Sequence, residues 1–420
     1  MCSRSRCLDG LSVMLTCRNA IVLTVLLLSL GPLAGSPAQA RHRGHHRRPG
    51  ALPYMGPEPA PSIFGLDTDL YDSNYADTVR DFPTARQLGG RWDHFVAGPL
   101  TGNGNYALLD RQVTQARRSG MGVIVSFGGI TAVCSLRPLP ADLGACPPTT
   151  RPDLRRYQAY VRRLVLRYRR VVTYYESWVE PNNGEKWLPR DDAASYAALL
   201  RAEYSVFQAI NRRYRLHLKL LFGSPINFSI IPGSTNATAV LPFVDRVLHD
   251  LHGQRPFDGI ALHAYRFPAG TEGPDAPDCD YVRGVHLRLG YSTPDCPAPD
   301  WRLLTWPQEL TAYEQQFERH GYGQTPLWVT EFGWPGSLLA AEPNIPDDVT
   351  QARYLIEAYN DLLQLPFVQA ALWFNLRDYQ PGYASPDPAF FYHYGLVDYG
   401  FAPKPAAAAF QALAAANPGR

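Results

Sequence analysis

The stretch TYYESWVEP, residues 173–181, combines β-branched and aromatic residues with a glutamate and a proline at its end. This composition predicts a short buried strand that stops at Pro181, because proline cannot donate a hydrogen bond within a sheet. Side chains alternate along a strand, so Glu176, Trp178 and Glu180 are expected to share one orientation. The carboxyl group of Glu180 is therefore predicted to lie at the C-terminal end of this strand.

Seven further runs of similar length and composition occur along the chain. They are IFGLDTD at 63–69, GGRWDHF at 89–95, MGVIVSFGG at 121–129, LKLLFGSP at 218–225, FDGIALHAY at 257–265, PLWVTEFGW at 326–334 and QAALWFNLRD at 369–378. Stretches with apolar residues every three to four positions separate the runs, which is the period of an amphipathic helix. Strands and helices that alternate eight times predict a (β/α)8 TIM barrel, with an open doubly wound sheet as the alternative. No GxGxxG motif follows the first run and no Walker-type GK[ST] occurs, so nucleotide binding has no support.

The chain has 420 residues, 45% of them hydrophobic, which suffices for one large barrel domain, predicted over residues 62–420. Before this domain, arginines precede an apolar run at 21–30, and small residues suited to cleavage follow at 38–40. These features predict a signal peptide over residues 1–40, and hence a secreted or cell-surface protein, with an uncleaved membrane anchor as the alternative. Residues 41–61 are basic and rich in histidine and proline, which predicts a disordered linker.

Much of the basic charge lies at the N-terminus. Residues 1–48 hold seven arginines and one aspartate, which leaves 33 basic and 37 acidic residues in the rest of the chain, a net charge of −4. A mildly acidic domain offers no extended basic surface to nucleic acid or to an anionic membrane. We therefore expect no nucleic-acid partner, no membrane contact after signal cleavage, and a monomer.

Four cysteines follow the predicted signal, and they form two local pairs, Cys134 with Cys146 and Cys279 with Cys296. Both pairs lie in segments rich in proline and glycine. In an exported protein this spacing predicts two disulfides, each of which closes a loop. A zinc site is the alternative, but no CxxC motif or nearby histidine pair supports it. The sequence thus predicts no metal and no cofactor.

Two of the predicted strands end in a glutamate among tryptophans, Glu180 in the fourth and Glu331 in the seventh. The C-terminal ends of barrel strands converge on one face, where the chemistry of such barrels takes place. Hydrolysis of a glycosidic bond needs two carboxyl groups, one protonated to donate to the leaving oxygen and one ionised. The pair is therefore a candidate catalytic pair, although a single glutamate in such a place is often only a structural ion-pair member.

The span from about 62 to 416 resembles the clan A glycoside hydrolases. WVEPN at 178–182 resembles that superfamily's WNEPN motif, and WVTEFGWPG at 328–336 resembles its strand-seven nucleophile motif. LHAY at 262–265 is similar to its strand-six segment, and GLVDYGFAPKPAAAAFQAL at 395–413 resembles its C-terminal ending. The resemblance implies a retaining mechanism in which Glu180 is the acid/base and Glu331 is the nucleophile.

Further site residues follow from the resemblance and from the strand positions. The candidate substrate-binding residues are Arg91, Asn182, His263, Tyr265, Trp334 and Trp373. The resemblance implies that Tyr265 donates a hydrogen bond to Glu331, that His263 lines the sugar site, and that Trp373 forms a platform under the sugar. Trp334 is expected to stack on a sugar ring, because aromatic faces pack against apolar faces. Arg91 is expected near Glu331, where its charge would keep the carboxylate ionised.

Val179 departs from the superfamily pattern, which has asparagine immediately before the acid/base. Valine cannot make the hydrogen bond that this asparagine makes to the sugar 2-hydroxyl. The leading prediction is a secreted retaining glycoside hydrolase with a polysaccharide or oligosaccharide substrate. The alternative is a catalytically impaired carbohydrate-binding barrel, favoured by Val179. A metal-dependent hydrolase barrel would need HxH on the first strand, and GLDTD at 65–69 contains no histidine.

Overall fold

The computed structural model describes residues 50–68, 77, 79–136, 146–184, 186–189, 192–227, 240–266, 271, 304–336, 347–380 and 393–420. The predicted signal peptide, the first part of the predicted linker, and the cysteines at 279 and 296 lie outside these residues. Among the described helices, none is both long enough and apolar enough to cross a membrane.

Eight parallel strands form one sheet in the order β1-β8-β7-β6-β5-β4-β3-β2. The strands are β1 Gly65–Asp67, β2 Trp92–Ala97, β3 Gly122–Phe127, β4 Tyr174–Glu176, β5 Lys219–Phe222, β6 Gly259–His263, β7 Leu327–Phe332 and β8 Val368–Phe374. The two ends of this order also meet, since the backbone N–H of Arg91 donates to the carbonyl of Phe64 at 2.7 Å. The predicted (β/α)8 barrel is confirmed.

Helices follow the strands around the outside of the barrel. They are α1 Asp81–Leu88, α2 Pro99–Gly102, α3 Ala107–Arg118, α4 Arg151–Tyr168, α5 Ala193–Tyr214, α6 Val240–Asp250, α7 Trp306–Phe317, α8 Asp348–Gln364 and α9 Pro405–Ala416, with a 3-10 turn at Thr131–Val133 and a π turn at Glu318–Tyr322. Helix α4 shows how the sequence sets such a helix. The side chain of Thr150 accepts the N–H of Asp153 and caps the first turn. Residues at helical spacing from Tyr157 to Tyr168 are buried against the sheet.

The half of the barrel interior nearer the N-terminal ends of the strands is apolar. The indole rings of Trp92 and Trp328 meet edge to face at 5.3 Å, and Tyr174 packs on Trp328 at 4.4 Å. Gly122 makes room for this cluster, because a Cβ at that position would lie 2.6 Å from the Trp92 ring. Two residues further along β2, β4 and β6, the inward side chains are His94, Glu176 and His263, so the interior becomes polar there, since side chains of the same face recur with period two.

Residues 50–61 correct the predicted linker, because they pack along the N-terminal end of the barrel. The Glu58 carboxylate accepts the backbone N–H groups of Val123 at 3.3 Å and Thr173 at 3.0 Å. The indole N–H of Trp92 donates to the carbonyl of Ala60 at 2.9 Å. The prediction was wrong for this part because it counted apolar side chains, whereas this segment is held by hydrogen bonds.

The loop after β3 is closed by a disulfide between Cys134 and Cys146, whose Cα atoms are 4.9 Å apart. This pairing confirms the sequence prediction for these two cysteines. Among the described residues, Cys134 follows the C-terminal end of β3 and Cys146 precedes α4.

Candidate active site

Glu180 and Glu331 lie together at the C-terminal end of the barrel. An oxygen of one carboxylate lies within 4.8 Å of an oxygen of the other. Between them, Nδ1 of His263 is 3.1 Å from Oε1 of Glu180 and 3.4 Å from Oε2 of Glu331. The two glutamate side chains are 9% and 8% exposed, whereas His263 is fully buried. Solvent therefore reaches both carboxylates from the mouth of the barrel.

Glu180 lies beyond the strand that was predicted to carry it. Strand β4 ends at Glu176, and the backbone of Glu180 adopts a left-handed conformation with φ of 49°. This conformation is uncommon for a residue other than glycine, and the strain it stores is often found at functional sites. The Glu180 N–H donates to the carbonyl of Ser224 at 2.9 Å, and Nδ2 of Asn183 donates to Oε2 at 2.9 Å. These bonds fix the direction of the carboxylate.

Because β4 ends at Glu176, the side chains of Glu176, Trp178 and Glu180 do not point in one direction as expected. Trp178 packs against Tyr157 of α4 and against Trp187, with ring centroids 5.6 and 5.1 Å apart. The carboxylate of Glu176, in contrast, points into the barrel interior, where its Oε1 accepts the hydroxyl of Ser224 at 2.5 Å. The expected common orientation is therefore wrong, because the alternation of a strand does not continue past its last paired residue.

Glu331 belongs to β7 and is oriented from the neighbouring strand. The hydroxyl of Tyr265 donates to its Oε2 at 2.8 Å, as the resemblance implied. The backbone N–H of Ala264 donates to the carbonyl of Glu331 at 2.8 Å and keeps the two chain segments aligned. Hydrogen bonds thus hold both the backbone and the side chain of Glu331.

His94 is the main site residue that the sequence analysis missed. Its Nδ1 is 3.1 Å from Oδ2 of Asp67 and 3.8 Å from Oε1 of Glu331. Its Nε2 lies 2.5 Å from the hydroxyl oxygen of Ser126 and 3.8 Å from Oε2 of Glu176. A cationic imidazole here would offset part of the negative charge of the three surrounding carboxylates.

Arg91 is not at the position expected for it. It precedes β2 and therefore lies at the N-terminal end of the barrel, where its carbonyl accepts the N–H of Gly122 at 2.8 Å. His94 takes the predicted place beside Glu331. The sequence could have indicated His94, because residues two apart on a strand face the same side. Trp92 and His94 both face the barrel interior, and His94 lies nearer the C-terminal end of β2.

Trp334 and Trp373 also differ from expectation. Both are fully buried in the layer between the strands and the helices. Trp373 donates its indole N–H to the carbonyl of Tyr394 at 3.1 Å, and Trp334 packs on Tyr354 of α8 at 5.6 Å. Neither ring is accessible to a sugar, so their assignment as stacking residues is corrected.

Phe374 is the aromatic residue of β8 that faces the site. It follows Trp373 directly and therefore points to the opposite side of the sheet. Its ring centroid lies 5.9 Å from that of Tyr265 and 5.7 Å from that of Tyr394, and the residue is 8% exposed. Any aromatic platform at this strand end is therefore Phe374.

Asn182 connects two loops at the mouth. Its Nδ2 donates to the carbonyl of Ile226, and its Oδ1 accepts the N–H of the same residue, both at 2.9 Å. Both ends of the amide thus hold the loop after β4 against the loop after β5. This geometry makes Asn182 a residue that positions Glu180, rather than the sugar contact that the sequence analysis expected.

Charges within the site shift the pKa values of the three central groups. Burial lowers the pKa of His263, but the negative charges of Glu331 and Glu180 outweigh it and raise the pKa to about 9. Burial raises the pKa of Glu331 to about 7, against the opposing charge of His263. Burial also acts on Glu180, yet the hydrogen bond and charge of His263 leave its pKa below the usual value. The pKa of Glu331 therefore lies above that of Glu180, so of the two carboxyl groups Glu331 binds a proton more readily.

Two groups of side chains in this site have the types and spacing of metal ligands, and Glu331 belongs to both. One group is Asp67, His94 and Glu331, and the other is Glu180, His263 and Glu331; within each, the potential ligand atoms lie within 4.8 Å of one another. Histidine nitrogen and carboxylate oxygen are both common zinc ligands.

The sequence matches no protein-family model and no curated protein. Its fold is similar to solved glycoside hydrolases. A family 39 glycoside hydrolase from the gut symbiont Bacteroides cellulosilyticus has 20% identity and a TM-score of 0.59, over 84% of this chain and 64% of that one. The family 39 enzyme from Xanthomonas axonopodis has 18% identity and a TM-score of 0.56, over 85% of this chain and 68% of that one.

A monomeric β-xylosidase from Caulobacter crescentus is also similar, with 18% identity and a TM-score of 0.55, over 85% of this chain and 69% of that one. This chain spans slightly less than two thirds of the Bacteroides protein, at 64% of its length. At sequence identities of 18 to 20%, the similarity shows a common fold and no more. This chain therefore has the barrel fold found in the clan A glycoside hydrolases.

Proposed function

We propose that this protein is an exported glycoside hydrolase that cleaves O-glycosidic bonds of a polysaccharide or oligosaccharide with retention of configuration. The observation that carries the proposal is the separation of Glu180 and Glu331, whose nearest oxygens lie within 4.8 Å. Retaining enzymes hold their two carboxyl groups about 5 to 5.5 Å apart, whereas inverting enzymes need about 6.5 to 9.5 Å to admit a water molecule. The separation therefore supports a double displacement.

In the first step, Glu180 donates its proton to the leaving oxygen while a carboxylate oxygen of Glu331 attacks the anomeric carbon. The glycosidic bond breaks, and an ester bond forms between Glu331 and the sugar. In the second step, Glu180 removes a proton from water, which attacks the anomeric carbon and releases Glu331. Tyr265 holds Oε2 of Glu331, so Oε1 is the oxygen left for attack.

The order of the two pKa values, with Glu331 above Glu180, is the reverse of what these roles require. The proton must therefore move to Glu180 as the substrate enters. Nδ1 of His263 lies 3.1 Å from Glu180 and 3.4 Å from Glu331, within reach of both carboxylates. Protonated His263 can first give its Nδ1 proton to Glu180, and the neutral Nδ1 can then take the proton of Glu331, so the imidazole ends with its charge restored.

Export and substrate class rest on different observations. The N-terminal sequence supports export, and the disulfide between Cys134 and Cys146 supports an oxidising compartment. One protein of similar fold is a β-xylosidase, which makes aryl xylosides the first substrates to try, before other aryl glycosides and polysaccharides. A carbohydrate-binding barrel is the second candidate, favoured by Val179 next to the proposed acid/base.

The test compares Glu180→Ala with Glu331→Ala on a 2,4-dinitrophenyl glycoside, whose leaving group needs no proton. Glu180→Ala is expected to form the glycosyl-enzyme and then stall, because water is no longer activated. Azide should restore turnover and give a glycosyl azide of retained configuration. On substrates with poor leaving groups this variant is expected to lose about 100- to 10,000-fold in rate. Glu331→Ala should form no covalent intermediate.

The matched control is Glu318→Ala, because Glu318 is exposed and lies at the C-terminal end of α7, far from the barrel mouth. It should keep the wild-type rate. The opposite result would exchange the roles of acid/base and nucleophile: Glu331→Ala would give a glycosyl azide of retained configuration, and Glu180→Ala would form no covalent intermediate. Absence of turnover on every glycoside, with sugar binding intact, would instead establish the binding barrel.

A further inference from the structure

We propose that Glu180, His263 and Glu331 form a binding site for a divalent transition-metal ion, that Zn²⁺ suits it best, and that the bound ion excludes the substrate. Metal binding itself does not depend on the proposed function. Only the expected inhibition rests on glycoside hydrolysis by the same two carboxylates.

The spacing of the potential ligand atoms carries the proposal. Nδ1 of His263 is 3.1 Å from Oε1 of Glu180 and 3.4 Å from Oε2 of Glu331. With zinc bonds of about 2.0 to 2.2 Å, neighbouring ligands of a tetrahedral ion are about 3.3 to 3.6 Å apart. Both nitrogen-to-oxygen distances are close to that edge, and the oxygens of Glu180 and Glu331 lie within 4.8 Å of each other. An ion can therefore take the place of the Nδ1 proton as the two glutamate side chains close on it.

The chemistry and access of the three side chains point to the same ion. One imidazole and two carboxylates form a mixed nitrogen and oxygen set, which suits Zn²⁺ better than it suits Mg²⁺ or Ca²⁺. Three protein ligands leave a fourth position for water or an anion. Both glutamate side chains retain exposure at the mouth, so an ion can enter from solvent.

The second group of potential ligands is less suitable. Asp67 and His94 are 1% and 0% exposed, below the catalytic pair. Nδ1 of His94 is engaged with Asp67 at 3.1 Å and lies 3.8 Å from Glu331, which is longer than a tetrahedral edge. We therefore assign the ion to the group formed by Glu180, His263 and Glu331, and not to the group that contains Asp67 and His94.

The experiment is isothermal titration of chelator-treated full-length protein with ZnCl₂, in parallel with kinetic assays of Zn²⁺ inhibition. We expect one ion per chain. We also expect inhibition that is competitive with substrate and reversed by a chelator, with an inhibition constant equal to the calorimetric Kd. His263→Ala should weaken binding at least about 100-fold, since even residues that only support a metal ligand contribute about 10- to 100-fold.

Glu180→Gln and Glu331→Gln keep the size of the side chain and remove a strong ligand, so they test the site even if His263→Ala does not fold. Asp67→Asn should leave the Kd unchanged. Two control variants address other histidines: His249→Ala with His252→Ala removes an exposed pair at the C-terminal end of α6, and replacement of His42, His45 and His46 by alanine removes the N-terminal ones. Neither control should alter the high-affinity site.

Several outcomes would overturn the proposal. These are the absence of stoichiometric Zn²⁺ binding, equal affinity in the wild type and in Glu331→Gln, or loss of binding in Asp67→Asn alone. Stimulation of turnover by Zn²⁺ would make the ion a cofactor and would overturn its competition with substrate. Calorimetry needs no substrate, so failure of metal binding is distinguished from failure of the proposed glycosidase activity.

Discussion

Tyr265 donates a hydrogen bond of 2.8 Å to Oε2 of Glu331. A hydrogen bond to a charged group contributes about 1.5 to 3 kcal/mol. The Tyr265 ring also packs on Phe374 and Tyr394, at centroid distances of 5.9 and 6.1 Å. Packing and hydrogen bonding can therefore be separated, because phenylalanine keeps the ring and removes only the hydroxyl.

The Tyr265→Phe variant is expected to lose about 10- to 100-fold in kcat/KM, the factor that corresponds to the bond to Glu331. The matched control is Tyr313→Phe, because the Tyr313 hydroxyl donates to the carbonyl of Ala261 at the same distance of 2.8 Å and contacts no carboxylate in the described structure. That control should lower Tm and leave kcat/KM nearly unchanged. Equal rates for wild type and Tyr265→Phe would exclude an orienting role for the hydroxyl.

The barrel, and the meeting of Glu180 and Glu331 at its mouth, could be predicted because both depend on features that extend over many residues. Eight apolar runs separated by helical periods determine the fold even when each boundary is misplaced by several residues. The pair Glu180 and Glu331 followed from the convergence of strand ends, which tolerates the same errors. The fourth strand ends at Glu176 rather than at Pro181, yet Glu180 still reaches the mouth.

The orientation of single side chains was harder to predict, because an error of one residue in a strand turns every side chain to the other face. Arg91 was placed in the site and His94 was missed, although they are only three residues apart. Trp373 was chosen over Phe374 for the same reason. Residues 50–61 were misplaced because hydrogen bonds between side chains and the backbone of distant segments, such as those of Glu58, leave no pattern in the local sequence.

Glu203 of α5 predicts how stability depends on pH. Burial raises the pKa of its carboxyl group from the usual 4.5 to about 8, and a contact with Ser177 offsets only part of the rise. Between these two pH values, the folded state binds one more proton at this position than the unfolded state. The free energy of unfolding therefore falls as pH rises from about 4.5 to 8, at up to about 1.4 kcal/mol per pH unit.

Glutamine is neutral at every pH and has nearly the same shape, so Glu203→Gln should show a smaller fall in Tm between pH 5 and pH 8. The difference should be measured by scanning calorimetry at both pH values. Glu318→Gln serves as a control, because this exposed glutamate should leave the pH dependence unchanged. Parallel Tm curves for wild type and Glu203→Gln would show that Glu203 does not hold a proton in the folded state.

The observed disulfide and the one predicted between Cys279 and Cys296 can be tested together. Peptide mapping without reduction should find the link between Cys134 and Cys146 seen in the structure, and also the predicted link between Cys279 and Cys296. Replacing Cys134 and Cys146 together by serine should lower the free energy of unfolding by at most about 3 kcal/mol, as expected for a loop of this length. Free thiols at all four positions in secreted protein would contradict the pairing.

Val179 is half-buried, directly before Glu180. The two nearby asparagines are already engaged, since Asn182 bonds to the backbone of Ile226 and Asn183 bonds to Glu180. In the superfamily that the sequence resembles, the asparagine at this position contacts the sugar 2-hydroxyl, and that bond strengthens as the transition state forms. Valine has neither a donor nor an acceptor, so sugar recognition here should depend less on the 2-hydroxyl.

If the proposed activity holds, the wild-type protein should lose no more than about tenfold in kcat/KM on a 2-deoxy glycoside, which corresponds to about 1.4 kcal/mol. Val179→Asn should increase this discrimination by raising the rate on the 2-hydroxylated substrate and leaving the 2-deoxy rate unchanged. Val179→Leu, which stays apolar, is the control and should keep the wild-type ratio. The measurement is kcat/KM for a matched pair of aryl glycosides that differ only at C2. A wild-type preference above about a thousandfold for the 2-hydroxylated substrate would mean that another side chain makes the contact, and Asn183, which already touches Glu180, would then be the first to replace.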